Sequence, residues 1–405
     1  MTRPLLLSGM FRSGTTLLSR MLGAGPECLV VADPFIYVLK AYRSFHLARA
    51  GATDWDPEEP TSDHFFARHA DVNAAILAAD LSEDIPAELL GRLRADIRRW
   101  KSEQHPGLCR RLDQVGGRTF ADVYRSLTEL SVELYGDAGT RLAGTKVSWC
   151  EEFLPALARA FPEMRFVMLV RDLRAIVASQ NRKQGSGAGK RPLLFYVRHW
   201  RKSVALTRSF LDHEGELSGR VQLLRYEDLV RDPQARLEEL CAFLDTPFTP
   251  AMTRVEAFRA ESETGSWLTN SSFADPGEGI YTDSLARWLS VLSSAEIEAL
   301  NALAGPELAW MGYELPGHVA DPIECLSTDC EPAFDELAPW IQPFPCAAYL
   351  RDADAKTVEY ALESVRRAVI EGELSVPPEL ERQFFLGDGV LPGLREAWRV
   401  RALAR

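Results

Sequence analysis

Residues 4–22 read Pro-Leu-Leu-Leu-Ser-Gly-Met-Phe-Arg-Ser-Gly-Thr-Thr-Leu-Leu-Ser-Arg-Met-Leu. The apolar run at residues 5–7 leads into a loop that contains Gly9 and Gly14, and apolar side chains then recur at helical spacing. The stretch is therefore predicted to form a strand, a phosphate-binding loop and a helix. Such a loop offers an anion unpaired backbone N–H groups and the positive end of the helix dipole, and its glycines allow close approach.

The type of cation in this loop separates two kinds of phosphate chemistry. A nucleotide triphosphatase has a lysine just before its last hydroxyl residue, where it reaches the β- and γ-phosphates. Here Thr15 occupies the lysine position, and the cation is Arg12 inside the loop. We expect Arg12 and the hydroxyls of Thr15 and Thr16 to converge on one small oxyanion group, which argues against ATP hydrolysis.

Short apolar runs farther along the chain are predicted strands, each followed by a helical pattern. The strands cover residues 142–147, 165–170 and 221–226, and the helices include residues 172–181 and 233–244. This alternation predicts an α/β fold with a parallel sheet covered on both faces, and with ligands at the carboxyl ends of the strands.

Two mostly helical segments are expected outside this core. Residues 37–140 are helical and charged in pattern, which predicts an insertion that lines a ligand cleft. Residues 355–372 have helical apolar spacing after a segment rich in acidic residues and proline. The predicted organisation is one domain over residues 1–315, which includes the insertion, and a helical C-terminal extension over residues 316–405.

Composition limits the partners of this chain. With 405 residues, 46% hydrophobic and 26% charged, it can bury one large core or two smaller ones. A net charge of -12 disfavours binding to nucleic acid or acidic membranes, so an anionic ligand needs a local cluster of cations. No 18-residue apolar run and no signal-peptide pattern occur, and the 7 cysteines lie mostly in apolar runs. The expectation is a cytoplasmic protein without a membrane span.

Two motifs resemble those of the sulfotransferases that use 3'-phosphoadenosine-5'-phosphosulfate (PAPS). Arg12-Ser13-Gly14-Thr15-Thr16-Leu17 matches the 5'-phosphosulfate loop of the branch that includes the tyrosylprotein sulfotransferases. Val170-Arg171-Asp172-Leu173-Arg174-Ala175, with Ser179 farther along the helix, is similar to the element that binds the 3'-phosphate. The resemblance implies that residues 12–16 hold the 5'-phosphosulfate and that Arg171 and Ser179 hold the 3'-phosphate. Arg174 is expected to be a solvated helix residue.

The same resemblance implies further site residues. Leu224-Arg225-Tyr226-Glu227-Asp228-Leu229 is similar to a family segment whose tyrosine lies close to the nucleotide, which points to Tyr226. Asp33 stands where the tyrosylprotein branch carries its carboxylate base, a glutamate there. The alternative for Asp33 is a cap of the turn before Pro34. Lys146 matches the lysine near the sulfuryl group and would join Arg12, or it would simply end a strand in solvent.

The resemblance extends over about residues 4–315, with one departure near its end. Arg287-Trp288 looks like the family's C-terminal cofactor-side element, but residues 277–281 hold no basic counterpart of the lysine that the tyrosylprotein branch places ahead of the tryptophan. The glycine-rich, cationic residues 183–191 are either a lid over an anionic cofactor or a solvated linker.

The function that these patterns favour is transfer of a sulfuryl group from PAPS to an acceptor hydroxyl, with release of adenosine-3',5'-bisphosphate (PAP). The expected fold is P-loop-like, the expected mechanism uses no metal, and the catalytic residues are Asp33, Lys146 and Arg12. The acceptor is expected on a small molecule, a glycan or a lipid-like metabolite. The alternatives are a small-molecule kinase on the same fold and a non-catalytic nucleotide-binding protein.

Overall fold

Five parallel strands form the only sheet among the residues that the computed structural model describes, which are 2–49, 51, 75–181, 189–212, 215–258, 282–315, 317–328, 330–339, 341–342, 345–387 and 389–403. The strands are β1 Arg3–Ser8, β2 Cys28–Ala32, β3 Leu142–Lys146, β4 Arg165–Val170 and β5 Val221–Arg225. Their spatial order is β2-β3-β1-β4-β5, and every neighbouring pair is parallel. The predicted α/β class with a parallel sheet is confirmed.

The central strand β1 and its neighbour β4 are buried because helices cover both faces of a parallel sheet. Leu6 and Leu7 of β1 and Val167 and Met168 of β4 are each 0% exposed. A continuous apolar run is typical of such strands, which is why the sequence pattern located both of them. Between them the chain changes direction, since β1 connects toward β2 and β4 connects toward β5. Ligands of open α/β sheets bind at such a change of direction.

The described residues fall into two compact units. Unit 1 holds those of Met1–Thr61, Asp71–Val170 and His213–Thr282, and unit 2 holds those of Arg171–Asp212 and Asp283–Arg405. Unit 1 contains the sheet and the following helices: α1 Thr15–Gly23, α2 Ile36–Arg49, α3 Ala87–Lys101, α4 Pro106–Arg111, α5 Phe120–Tyr135, α6 Leu154–Ala160, α9 Tyr226–Arg231 and α10 Pro233–Leu244.

The regular secondary structure in the described residues of unit 2 is helical. Its helices are α7 Leu173–Asn181, α8 Leu193–Asp212, α11 Trp288–Val291, α12 Ser294–Trp310, α13 Pro345–Ala348, α14 Ala353–Glu371, α15 Pro378–Phe385 and α16 Val390–Leu403. The unit therefore includes helices from both sides of residue 315. The division into domains at that residue stays a prediction.

A buried group of charges joins the helices of unit 2. Arg201 of α8 lies 2.8 Å from a carboxylate oxygen of Glu363 on α14 and 3.4 Å from Glu307 on α12. Arg366 pairs with the same Glu307. The four side chains are at most 3% exposed. Removing a charged side chain from water is costly, so these side chains remain buried only where each has a partner of opposite charge.

The sequence prediction missed one strand and shifted several element ends by a residue. β2 was not identified, because a five-residue apolar run cannot be distinguished by periodicity alone from a buried helix segment. β3 and β5 each end one residue earlier than predicted, the latter because Tyr226 begins α9. Residues 183–188, in the predicted lid or linker, and residues 277–281 lie outside the described residues. In the part of the chain that is described, no helix is long and apolar enough to cross a membrane.

Replacing Glu363 with alanine should destabilise the protein by about 3–5 kcal/mol, because Arg201 would stay buried with only Glu307, which it shares with Arg366. The free energy of unfolding from urea denaturation measures this loss. Glu379→Ala is the matched control, since Glu379 is 73% exposed and its pair with Arg382 spans 3.9 Å. We expect the control to change stability by less than about 0.5 kcal/mol. Equal losses in the two variants would show that the buried group does not hold the helices together.

Candidate active site

The loop between β1 and α1 is shaped by three residues in left-handed backbone conformations. Gly9 has a φ of 148°, Arg12 of 64° and Gly14 of 96°. A Cβ atom on Gly9 would lie 2.2 Å from the carbonyl oxygen of Leu169, and one on Gly14 would lie 2.3 Å from the ring of Tyr226. Both positions therefore require glycine. Arg12 adopts its conformation at a cost of about 1–2 kcal/mol, which the surrounding structure must offset.

The start of α1 carries the features of an anion site. Helix α1 begins at Thr15, and among the described residues no side chain caps its first turn. The first N–H groups of a helix have no partner within the helix and lie at the positive end of its dipole. Ser13 is 0% exposed, and its hydroxyl oxygen has no hydrogen-bond partner in the described part of the chain. The loop thus presents polar donors that a small oxyanion can satisfy.

Lys146 lies beside this loop because of the register of the sheet. It is the last residue of β3, which lies between β1 and β2, and it is paired with Leu7 on one side and Ala32 on the other. Its ammonium group donates to the hydroxyl oxygen of Thr16, 3.3 Å away. The same ammonium group lies 3.7 Å from a carboxylate oxygen of Asp33. One cation therefore contacts both the phosphate loop and the predicted base.

Asp33 follows β2 directly and is held by backbone and side chain. Its N–H donates to the carbonyl oxygen of Lys146 at 3.0 Å, and its φ is 68°. Its second carboxylate oxygen lies 3.6 Å from the ammonium group of Lys101, the last residue of α3. His105 lies at the same place, because its Nε2 donates to the carbonyl oxygen of Ala32 at 3.2 Å. A carbonyl oxygen only accepts, so Nε2 carries the proton.

The cations around Asp33 determine its charge. Burial raises the pKa of the Asp33 carboxyl, but Lys146, Lys101 and His105 lower it by more, and the net pKa lies below its usual value. Asp33 is therefore ionised at neutral pH. A group with a depressed pKa stabilises the folded protein above its ordinary pKa, and this contribution disappears as the pH falls through the folded-state value.

Left-handed non-glycine residues follow three neighbouring strands. Arg12 comes after β1 and Asp33 after β2, and Trp149, with a φ of 62°, comes after β3. The ring of Trp149 contacts that of Phe11 edge to face, with centroids 4.9 Å apart. Among the described residues only Asp245 and Leu386 also combine a positive φ with a side chain. Such conformations cluster at functional sites, where the fold maintains the strain.

Arg171 and Ser179 belong to unit 2. Arg171 is 5% exposed, and its guanidinium donates to the carbonyl oxygen of Ser284 at 3.1 Å. Its own carbonyl oxygen accepts from the indole of Trp200 at 2.8 Å. Ser179 is half-buried on α7. The arginine is thus fixed at both its backbone and its side chain.

The prediction that Arg174 is solvated was wrong. Arg174 is 2% exposed and donates to both carboxylate oxygens of Asp172 and to the amide oxygen of Asn301. Its guanidinium also lies 4.3 Å from the ring centroid of Trp288. The position of Arg174 on a helix suggested that its side chain faces solvent. The Asp172 carboxylate and the Trp288 ring compensate for the loss of its hydration.

The structure brings most of the predicted site residues together within unit 1. Lys146 joins Thr16 and Asp33, and Tyr226 packs against Gly14 of the loop that also holds Arg12, Ser13 and Thr15. Lys101 and His105 were missed, because no motif marks them and they lie far from Asp33 in the sequence. Within the described residues no group of three or more His, Cys, Asp or Glu side chains could hold a metal ion.

Comparison with known proteins identifies the family of this chain. A model described as the sulfotransferase family matches residues 4–250, a range that includes every predicted site residue. The chain belongs to the sulfotransferase family. Residues 251–315, and with them Arg287 and Trp288, lie beyond the matched range.

Individual relatives are distant. Carbohydrate sulfotransferase 3 of Mus musculus is 26% identical over 210 residues, which cover 46% of this chain and 42% of that protein. A putative protein-tyrosine sulfotransferase of Caenorhabditis briggsae is 24% identical over 194 residues, covering 46% of this chain and 65% of that protein. The chain thus spans 42% to 65% of the length of these relatives.

Two solved sulfotransferase domains each cover 78% of this chain. The sulfotransferase domain from the curacin biosynthetic pathway is 19% identical with a TM-score of 0.46, covering 78% of this chain and 99% of that domain. The sulfotransferase domain from the Synechococcus PCC 7002 olefin synthase is 19% identical with a TM-score of 0.43, covering 78% of this chain and 96% of that domain.

Gly14→Ala should destabilise the protein by about 1–3 kcal/mol, because the added methyl group meets the Tyr226 ring and the backbone is left-handed. Gly23→Ala is the matched control, since Gly23 ends α1 and has nothing within 4 Å of an added Cβ. The control should be neutral or more stable by up to about 1 kcal/mol. Urea denaturation of both variants measures the difference. A stable Gly14→Ala protein would contradict the close packing of Tyr226 against the loop.

Proposed function

We propose that this protein transfers a sulfuryl group from PAPS to an acceptor hydroxyl and releases PAP. The single observation that carries the proposal is the position of Lys146, whose ammonium group contacts both Thr16 of the phosphate loop and Asp33. Sulfuryl transfer needs a cation where the donor's charge develops and a carboxylate where the acceptor loses its proton. Lys146 lies between these two groups.

The residues of the loop suit the 5'-phosphosulfate of the donor. Ser13 has a buried hydroxyl that lacks a partner among the described residues, and Gly9 and Gly14 leave no room for a side chain. Arg12 and Lys146 supply the positive charge. The absence of a lysine at Thr15 favours this donor over a nucleotide triphosphate, whose β- and γ-phosphates the loop lysine would bind.

Arg171 and Ser179 are the residues that we propose for the 3'-phosphate. An arginine binds phosphate through two parallel N–H groups, and a serine adds a neutral donor. The contacts of Arg171 with Ser284 and Trp200 fix its position, so that little side-chain entropy would be lost on binding. A 3'-phosphate site has no use in a kinase, which makes it the feature that separates the two functions.

In the reaction, the donor supplies an activated sulfuryl group. Asp33 accepts the proton of the acceptor hydroxyl at a carboxylate oxygen. Lys146 and Arg12 stabilise the negative charge that grows beside the phosphate loop, and the first turn of α1 adds its N–H groups. No step that these residues perform requires a metal ion, which is why we propose a metal-independent mechanism.

The acceptor that we propose is a hydroxyl on a small molecule, a glycan or a lipid-like metabolite. The names of the relatives include a carbohydrate and a protein-tyrosine sulfotransferase, and a carbohydrate and a tyrosine share a hydroxyl group. We propose a cytoplasmic setting, which the buried thiols of the six cysteines with described side chains support.

Isothermal titration should show that PAP binds and that adenosine-5'-phosphate and ATP-magnesium bind much more weakly. Arg171→Ala should weaken PAP binding by about 10- to 100-fold, because a charged hydrogen-bond pair is lost. Arg382→Ala, which removes an arginine with a 73% exposed side chain, should leave the affinity unchanged. A preference for ATP-magnesium, or indifference to the 3'-phosphate, would refute the proposed donor and favour the kinase alternative.

Asp33→Asn should lower kcat by about 10²- to 10⁴-fold, because the amide cannot take the acceptor proton. The affinity for PAP should change little, since Asp33 is not proposed to touch the donor. PAP release, followed with a panel of phenols, sugars and hydroxylated lipids, measures the rate. Asp113→Asn is the control, since Asp113 is 78% exposed. An Asp33→Asn enzyme that keeps full activity would show that Asp33 only caps its turn.

A further inference from the structure

Lys101 contacts Asp33 from a part of the chain that carries no sulfotransferase motif. It is the last residue of α3, within the helical insertion, and its side chain is 13% exposed. Its ammonium group lies 3.6 Å from one carboxylate oxygen of Asp33 and donates to the side-chain oxygen of Gln104 at 3.2 Å. The backbone N–H groups of Gln104 and His105 both donate to its carbonyl oxygen. The turn after α3 thus holds both the backbone carbonyl group and the side-chain ammonium group of Lys101.

Two lysines therefore hold Asp33, one at each carboxylate oxygen. Lys146 approaches from β3 at 3.7 Å and Lys101 from α3 at 3.6 Å. The two differ in their other partner, because Lys146 also donates to Thr16 of the phosphate loop, whereas Lys101 donates to Gln104. A negatively charged donor in the loop would compete with Asp33 for the ammonium group of Lys146. Lys101 has no such competitor in the contacts that the structure shows.

We propose that Lys101 is a positioning residue that keeps the carboxylate of Asp33 oriented while Lys146 is engaged with the donor. This inference rests on the proposed function, in which Asp33 is the base. It assigns the helical insertion a part in the chemistry.

Electrostatics supports this division of roles. The groups that act on Asp33 are Lys146 from β3, Lys101 from α3 and His105 from the turn before α4. Burial raises the pKa of the Asp33 carboxyl, and these three groups lower it. His105 donates to the carbonyl oxygen of Ala32, so its ring is held by the backbone rather than by the carboxylate. Lys101 is thus the side chain besides Lys146 that forms an ion pair with Asp33.

A simpler role for Lys101 is to balance the dipole at the end of α3. Arg98 and Arg99 already place cations in that last turn. Arg99 is exposed and lies over the ring of Trp100, with 4.7 Å between its guanidinium carbon and the ring centroid. Removing Arg99 therefore removes the same charge from the same helix end without touching Asp33. Arg99→Met is the matched control for Lys101→Met.

The first experiment follows Asp33 directly. The full chain is labelled with ¹³C at the aspartate carboxyls, Asp33 is assigned from the Asp33→Asn spectrum, and the carboxyl shift is titrated from about pH 3 to pH 7 with and without PAP. Lys101→Met should raise the pKa of Asp33 by about one pH unit. Lys101→Arg and Arg99→Met should leave it near the wild-type value. An Asp33 pKa that is unchanged in Lys101→Met would overturn the proposal, whether or not the protein transfers sulfuryl groups.

The second experiment is a double-mutant cycle on kcat, with the best acceptor from the panel. Lys101→Met should lower kcat by about 10-fold in the wild-type background, because the Asp33 carboxylate loses its fixed orientation, and it should have no further effect in Asp33→Asn, because it acts through Asp33. Lys101→Arg should restore most of the rate. Equal losses in both backgrounds, or no rescue by arginine, would show a merely structural role. A wild-type protein that neither binds PAP nor transfers would count against the proposed function instead, and the titration would then decide the Lys101 contact alone.

Discussion

The ammonium group of Lys146 contacts two loops because β3 lies between β1 and β2 in the sheet. Leu7 and Ala32 are both in register with Lys146, so the loops that follow their strands begin at the same edge. A slip of one residue in β3 would turn the lysine side chain to the opposite face of the sheet. The contacts with Thr16 and Asp33 therefore depend on the backbone hydrogen bonds of the sheet, which the apolar side chains of the strands keep in place.

The cations beside Asp33 have two opposing effects on its carboxylate. The cations around the carboxylate keep it ionised, and in the proposed reaction they would also weaken it as a base. A donor that engages Lys146 would, under the same proposal, strengthen this base. The strained backbone at Arg12 and Asp33 holds each residue in the position from which its side chain reaches the site.

Charges inside unit 2 follow the same rule that each buried ion needs a partner. Arg174 is enclosed by Asp172 and Trp288, and Arg201 is paired with Glu363 and Glu307. Such pairs contribute little net stability compared with apolar packing, but removing one member is costly. They consequently tie the helices that contain them into one arrangement, and Arg171 gains a fixed backbone through Trp200 in the same unit.

The sequence by itself determined the parts of this protein that depend on local patterns. The apolar runs of β1 and β4, the glycines of the phosphate loop and the residues of the two motifs were all readable, because strand burial and loop geometry impose residue types at fixed short spacings. Only the tertiary structure decided that β2 joins the sheet, that Arg174 is buried and that Lys101 and His105 lie beside Asp33. These features depend on contacts between residues distant in sequence, and a lysine carries the same local pattern whether its charge faces water or a carboxylate.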